Sequence, residues 1–206
     1  MSNLAILFAD HAPSLTETKG PHEPRMLIVA GCRDCIPAFW LFCFDEDCLA
    51  DMKVEEVVHT ALVSPLPDVR QRLAARDSLA RSWFPGHVAL WERWLSVMDL
   101  LNRPFLKIDA SPLDRDPVGL GGDIINALEW FESDGEDDFG LQTLLELAGG
   151  AQVYDLASQS FRRSRSTRPE VILVGGGHDF RLWEEPQPGP KKRPSKRPAA
   201  KRRGRG

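Results

Sequence analysis

Nine consecutive residues, Ile36-Pro37-Ala38-Phe39-Trp40-Leu41-Phe42-Cys43-Phe44, contain no charged side chain. A run this apolar must be enclosed on every side, which demands a layered globule built around it. Read as a strand, Pro37, Phe39, Leu41 and Cys43 point one way, and Ala38, Trp40, Phe42 and Phe44 the other. The segment is therefore expected to be a central strand covered on both faces, with Pro37 near its start. Asp45-Glu46-Asp47 ends it. The chain, at 206 residues with six Trp, is long enough to enclose such an element in a single core.

Around this segment the pattern alternates between strand and helix signals. Leu4–Ala9, Arg25–Gly31, Val57–Val63, Pro104–Ala110 and Val171–Val174 read as strands. Asp68–Phe84 reads as a helix burying Val69, Leu73, Ala80, Trp83 and Phe84, and Pro85-Gly86 breaks it. In His87–Leu101, residues Trp91, Trp94, Leu95, Met98 and Leu101 recur at spacings of three and four, which predicts an antiparallel helical hairpin with the preceding helix. Asp123–Glu132 and Phe139–Ala148 complete the helical set. Strands at both ends with helices clustered between them predict an α+β fold. Its sheet would be mixed or antiparallel, with the hairpin and further helices packed on it.

Charge divides the chain. Residues 1–160 hold 12 Lys/Arg and 26 Asp/Glu, a net of −14, whereas residues 161–206 hold 14 Lys/Arg and 4 Asp/Glu, a net of +10. The reversal begins at Arg162-Arg163-Ser164-Arg165, so part of the positive charge belongs to the domain or its border. Residues 1–183 are read as a single acidic domain and residues 184–206 as a disordered basic tail. The tail carries Lys191, Lys192, Arg193, Lys196, Arg197, Lys201, Arg202, Arg203 and Arg205, with five prolines from Pro186 to Pro198. Prolines oppose helix formation, and the cations can displace counterions from nucleic-acid phosphates without reading sequence. With no aromatic residue in it, the tail offers no base stacking. The N-terminus has no basic segment leading into a long apolar one, and no apolar run approaches a membrane span of about 20 residues. The expected compartment is the cytoplasm, where cysteines are kept as thiols.

Four cysteines, Cys32, Cys35, Cys43 and Cys48, have a superficially zinc-like pairing. Extended, the intervening segment would separate Cys35 from Cys43 by about 26 Å at 3.3 Å per residue, and as a helix by about 12 Å. Neither closes a site whose metal–sulfur distances are about 2.3 Å. Buried thiols are the expectation, and no metal or cofactor is predicted. A buried strand followed by Cys32-x-x-Cys35 also resembles the arrangement in thioredoxin-like oxidoreductases. That resemblance implies thiol chemistry at these two residues and a proline facing them before a later strand, which Arg168-Pro169-Glu170-Val171 would supply. No Trp precedes Cys32, a departure from that pattern. Gly119-Leu120-Gly121-Gly122 lacks both phosphate-loop spacings and is read as a flexible entry to a helix. His178-Asp179 follows a glycine run without a nucleophilic serine, and is read as a loop.

With no catalytic constellation in the sequence, the expected function is that of a non-catalytic binding or inhibitory protein. Its acidic surface would engage a basic protein, as immunity proteins do for nuclease toxins. The candidate contacts are Asp45, Glu46, Asp47, Glu55, Glu56, Asp134, Glu136, Asp137 and Asp138. Two alternatives remain open. One is a nucleic-acid-associated accessory protein tethered by its basic tail; the other is a thiol oxidoreductase using Cys32 and Cys35.

Overall fold

The computed structural model of the protein describes residues 4–13, 27–54, 57–110, 113, 117–133, 138–162 and 168–176. Five strands form one antiparallel sheet: β1 (Leu4–Asp10), β2 (Leu27–Arg33), β3 (Leu49–Val54), β4 (Val57–Pro65) and β5 (Phe105–Asp109), in the order β2-β1-β5-β4-β3. β1–β2 and β3–β4 each pair antiparallel, and β5 lies between the two pairs, bonded to β1 on one side and β4 on the other. The last of these strands in the sequence is thus the central one. It fills its place only after the chain has passed through three helices, α2 (Leu66–Ala75), α3 (Asp77–Trp83) and α4 (Val88–Leu100). After β5 come α5 (Pro117–Glu132), α6 (Asp138–Leu147), a short pair β6 (Tyr154–Asp155) and β7 (Ser160–Phe161), and α7 (Pro169–Val174). The architecture is α+β, and among the sheet alternatives it is the antiparallel one.

Alternation along the strands divides the sheet into two faces. Ala5, Leu7, Ala9, Ala30, Cys32, Leu62, Leu106 and Ile108 are buried on one of them, their register partners lying directly opposite each other. The other face carries Phe8 opposite Lys107 and Ile6 opposite Asp109. Lys107 is fully buried, with Nζ 2.7 Å from Asp10 Oδ2 and 5.5 Å from the Phe8 ring centre. Burial pushes the Asp10 carboxyl up. The hydrogen bonds from Lys107 and the His11 and Ala12 amides outweigh it, leaving the group below its ordinary range.

The apolar run at 36–44 is enclosed as expected but is not a strand. Ala38–Leu41 form α1, a single helical turn entered through Pro37 (ψ 142°) and continued by a turn through Phe42 and Cys43. Every residue from Ile36 to Phe44 is buried. Periodicity alone cannot distinguish a short buried strand from a buried helical turn, because both bury all of their sides. The turn places Phe39 4.8 Å from Trp91 and 5.7 Å from Phe84, and Phe42 4.6 Å from Phe131 and 5.2 Å from Trp91, ring centre to ring centre. A strand would have spread these rings over a much longer line.

Several other expectations change. Val171–Val174 belongs to helix α7, not a strand, despite its β-branched content. Pro169 occupies the first helical turn, where its missing N–H costs nothing, and Gly175 at φ 85° stops it. The helix expected over residues 68–84 is divided at Arg76 (φ −93°, ψ 7°) into α2 and α3. The glycines at 119, 121 and 122 lie inside α5, whose first residue is Pro117, and do not form a loop before it. β3, β6 and β7 are additional to the sequence reading. The helical hairpin is present: Arg70 donates to the Met98, Asp99 and Leu101 carbonyls at the end of α4, while Trp91 Nε1 donates to Asp77 Oδ1. The tail from residue 184 onward lies outside the described residues.

Replacing Lys107 with Met should strand a largely buried carboxylate and cost about 3 kcal/mol or more at neutral pH, read as a lower urea midpoint. Because the folded Asp10 carboxyl titrates below its unfolded value, its contribution is complete above about pH 4 and disappears as pH falls through the folded value. Lys107→Met should remove that component of the acid dependence; an unchanged acid slope would contradict the pairing.

Candidate protein-binding surface

The apolar turn at 36–44 delivers the chain to the surface at Asp45, and three side chains fix where it emerges. Arg76, at the α2–α3 break, donates through Nη1 to the Phe42 carbonyl (3.1 Å) and the Phe44 carbonyl (2.7 Å), and through Nη2 to Asp45 Oδ1 (2.6 Å). Its guanidinium lies 4.2 Å from the centre of the Phe131 ring on α5. Arg72, one helical turn earlier, bonds Asp45 Oδ2 through Nε and Ser64 Oγ on β4 through Nη1. Burial pulls the Arg76 guanidinium below its ordinary value, with Asp45 acting in the opposite direction. The break in the long helix thus has a structural use. It turns Arg76 inward onto the Phe42 and Phe44 carbonyls, which follow α1 and lie outside its helical bonding.

This arrangement divides the expected acidic cluster. Asp45 faces inward onto two arginines. Glu46 and Asp47 open a short 3₁₀ turn (Glu46–Cys48), with Asp47 exposed and Glu46 half-buried. Across from them are Glu129 and Glu132 in the last turns of α5, both exposed. Burial, then Glu132, Glu129, Asp47 and Asp45 in that order, push the Glu46 carboxyl above its ordinary range. The last turn of α5 holds no basic residue, so the negative end of the helix dipole adds to the field there. Beside this rim, a groove of about 560 Å³ is lined by Ala75, Arg76, Ser78, Leu79, Ser82 and Phe131. Arg76, which lines the groove, also bonds Asp45 at the start of the acidic segment.

Among the other candidate contacts, Asp138 is exposed at the start of α6. Glu55, Glu56, Asp134, Glu136 and Asp137 fall outside the described residues, as do His178, Asp179 and the nine cations of the tail. Glu129, Glu132, Arg72 and Arg76 were not among the sequence candidates. The three-residue spacing of Glu129 and Glu132 shows that they share a helix face, but nothing in the sequence places that face against Glu46.

The cysteine expectation also changes. Cys32 and Cys35 are joined by a disulfide with Cα atoms 5.8 Å apart, while Cys43 and Cys48 remain free and buried. Burial pushes the Cys43 thiol far above its ordinary value, which suits a packing role. Cys32 lies next to the end of an edge strand of the sheet, and Pro169 opens a helix in place of the expected strand, so the thioredoxin-like placement of a proline before a later strand is not reproduced. Among the described residues, no three His, Cys, Asp or Glu side chains converge on a metal-sized site. Among the same residues no helix is long and apolar enough to cross a membrane. No protein-family model, curated protein sequence or solved structure matches the chain.

Replacing Arg76 with Leu should leave two carbonyls and a carboxylate without their shared donor, at a cost of about 3 kcal/mol or more. Arg76→Lys keeps the charge but loses the planar fork, and should fall between Leu and wild type. Urea titration checks both; equal midpoints for Lys and wild type would show that charge alone holds the turn.

Proposed function

We propose that this chain is a non-catalytic binding or inhibitory protein whose acidic surface engages a basic protein partner. The observation that carries the reading is the repulsive group Glu46, Asp47, Glu129 and Glu132, set at the negative end of α5. Like charges held together weaken the fold that holds them. Such an arrangement is worth keeping where a partner's cations offset the repulsion, and it also accelerates encounter and orients the partner. The adjoining groove supplies what a purely electrostatic patch lacks: an apolar floor in Leu79 and Phe131 and hydroxyls in Ser78 and Ser82. This pairing of a charged rim with a partly apolar centre matches the anatomy of protein interfaces. Asp138 and the sequence-adjacent acids Asp134, Glu136 and Asp137 extend the same charge along the chain, and the likeness to immunity proteins is one of strategy.

The test separates stability from binding. Glu46, Glu129 and Glu132 replaced together by Gln should raise the thermal midpoint, since repulsion is relieved. The same variant should weaken capture of basic proteins from extracts of the source cells by about tenfold at low salt. Wild-type capture should fade as salt is raised towards about 0.5 M, where screening is nearly complete. Capture that is insensitive both to salt and to the triple variant would defeat the proposal.

A second reading rests on the tail's nine cations, which suit a sequence-independent nucleic-acid tether. If all nine met phosphates, DNA affinity would fall with salt at a log–log slope of up to about −8. Deleting residues 186–206 should abolish that dependence. Equal retention on DNA with and without the tail would remove this reading.

A further inference from the structure

We propose that Cys32 and Cys35 form a reversible dithiol–disulfide clasp that governs whether the end of α7 is seated on the core. The disulfide closes a four-residue turn at the end of β2, which among the described residues is an edge strand paired with β1. The residues flanking that turn form the seat. Gly175, at φ 85°, is packed so closely that a Cβ there would lie 3.0 Å from Trp40 Cζ2, 3.1 Å from the Gly31 carbonyl oxygen and 3.2 Å from Pro37 Cγ. Gly31 immediately precedes Cys32, and Pro37 follows Cys35 by two residues. Trp40 Nε1 also donates to the Val174 carbonyl at 3.0 Å in a buried bond. From the other side, the Ile36 amide donates to the Leu147 carbonyl at 2.9 Å, and Gly149 approaches Cys35. The spacing between the Gly31 and Pro37 sides of the seat is therefore set by the cross-link. α7 itself is six residues long and holds to the core through Ile172, Leu173 and Val174. It is the element most dependent on that seat.

Access is one-sided. Cys32 is 1 % exposed and Cys35 8 %, with Arg33 and Asp34 exposed between them. A dithiol reductant would attack Cys35 Sγ with one thiolate, breaking the bond to Cys32, whose sulfur leaves as a thiolate and takes a proton. The second thiol of the reductant then displaces Cys35, which is protonated in turn, and the reductant departs as its own disulfide. Two electrons and two protons pass to the protein pair. Re-oxidation by a disulfide oxidant reverses each step. The free Cys43 and Cys48 lie within the core and take no part.

Hydrogen–deuterium exchange on the full chain tests the clasp, comparing protein equilibrated with oxidised and with reduced dithiothreitol, alongside a Cys32→Ser/Cys35→Ser variant. Reduction should accelerate exchange at the amides of Val171, Ile172 and Gly175 by about tenfold or more, leaving β1, β5 and α4 protected. The double variant should exchange at the faster rate under both conditions. Thiol labelling with mass measurement should count two reactive cysteines more in the reduced state. Three results would overturn the proposal: equal exchange at 171–175 in both states, acceleration of every element together, or four free thiols under oxidising conditions. The first would leave the cross-link without a regulatory effect, the second would make it a general staple, and the third would show that no disulfide forms.

Discussion

The structure depends on the enclosure of residues 36–44. That segment supplies a helical turn with all sides buried, and the principal layers of the molecule meet on it. Phe39 and Phe42 reach Phe84 at the end of α3, Trp91 on α4, and Phe131 on α5. Trp40 reaches the end of α7. Edge-to-face aromatic contacts of this kind depend on orientation as well as area, so they fix the mutual angles of the helices along with their proximity. A run with no polar side to spare cannot be moved to the surface, and the helical layer is arranged around it.

A cost follows from so compact an element. The chain leaves helical geometry soon after Leu41, and at Phe42 and Phe44 the donor to the backbone carbonyl is a guanidinium from the α2–α3 break. Arg76 joins packing to surface chemistry here. The arginine that completes the turn also neutralises Asp45, so the first residue of the acidic segment belongs to the fold, and the outward charge is left to Glu46 and Asp47. The interface proposed above thus begins where the structural requirement ends, one residue further along. Arg72 and Ser64 extend the same anchoring to β4, tying the emergence of the acidic segment to the sheet as well as to the helices.

The sheet shows a related division. One face is mostly apolar, with Ser64 and Thr60 buried on it, while the opposite face holds a buried lysine on β5 near Asp10 at the end of β1, and the central strand joins the sheet from nearly a hundred residues downstream of β1. Long-range pairing of this kind is entropically expensive to form. Lys107 and Asp10 provide a specific electrostatic link across the β1–β5 pairing, which the apolar face alone would not distinguish from a register slipped by two residues.

The α+β class, the helical hairpin, most of the buried faces and the division of charge were readable from the amino acids, because each is local: alternation, three-and-four spacing, breakers and composition act within a few residues. The conformation of 36–44 and of 171–174 was not, because uniform burial erases the periodic signal that separates helix from strand. Gly175 and Pro169 identify the second as a helix once its ends are seen as caps. The acidic run at Asp45–Asp47 was visible, but its split into an inward anchor and an outward rim was not, since Arg76, Glu129 and Glu132 lie 31, 83 and 86 positions away from the residues they meet. The nearness of Cys32 to Cys35 was written in their spacing, whereas the seat their disulfide holds for α7 joins residues 31 and 37 to residue 175. Short-range chemistry determined which residues must be buried and which must face water; the closure of long loops decided which of them would meet.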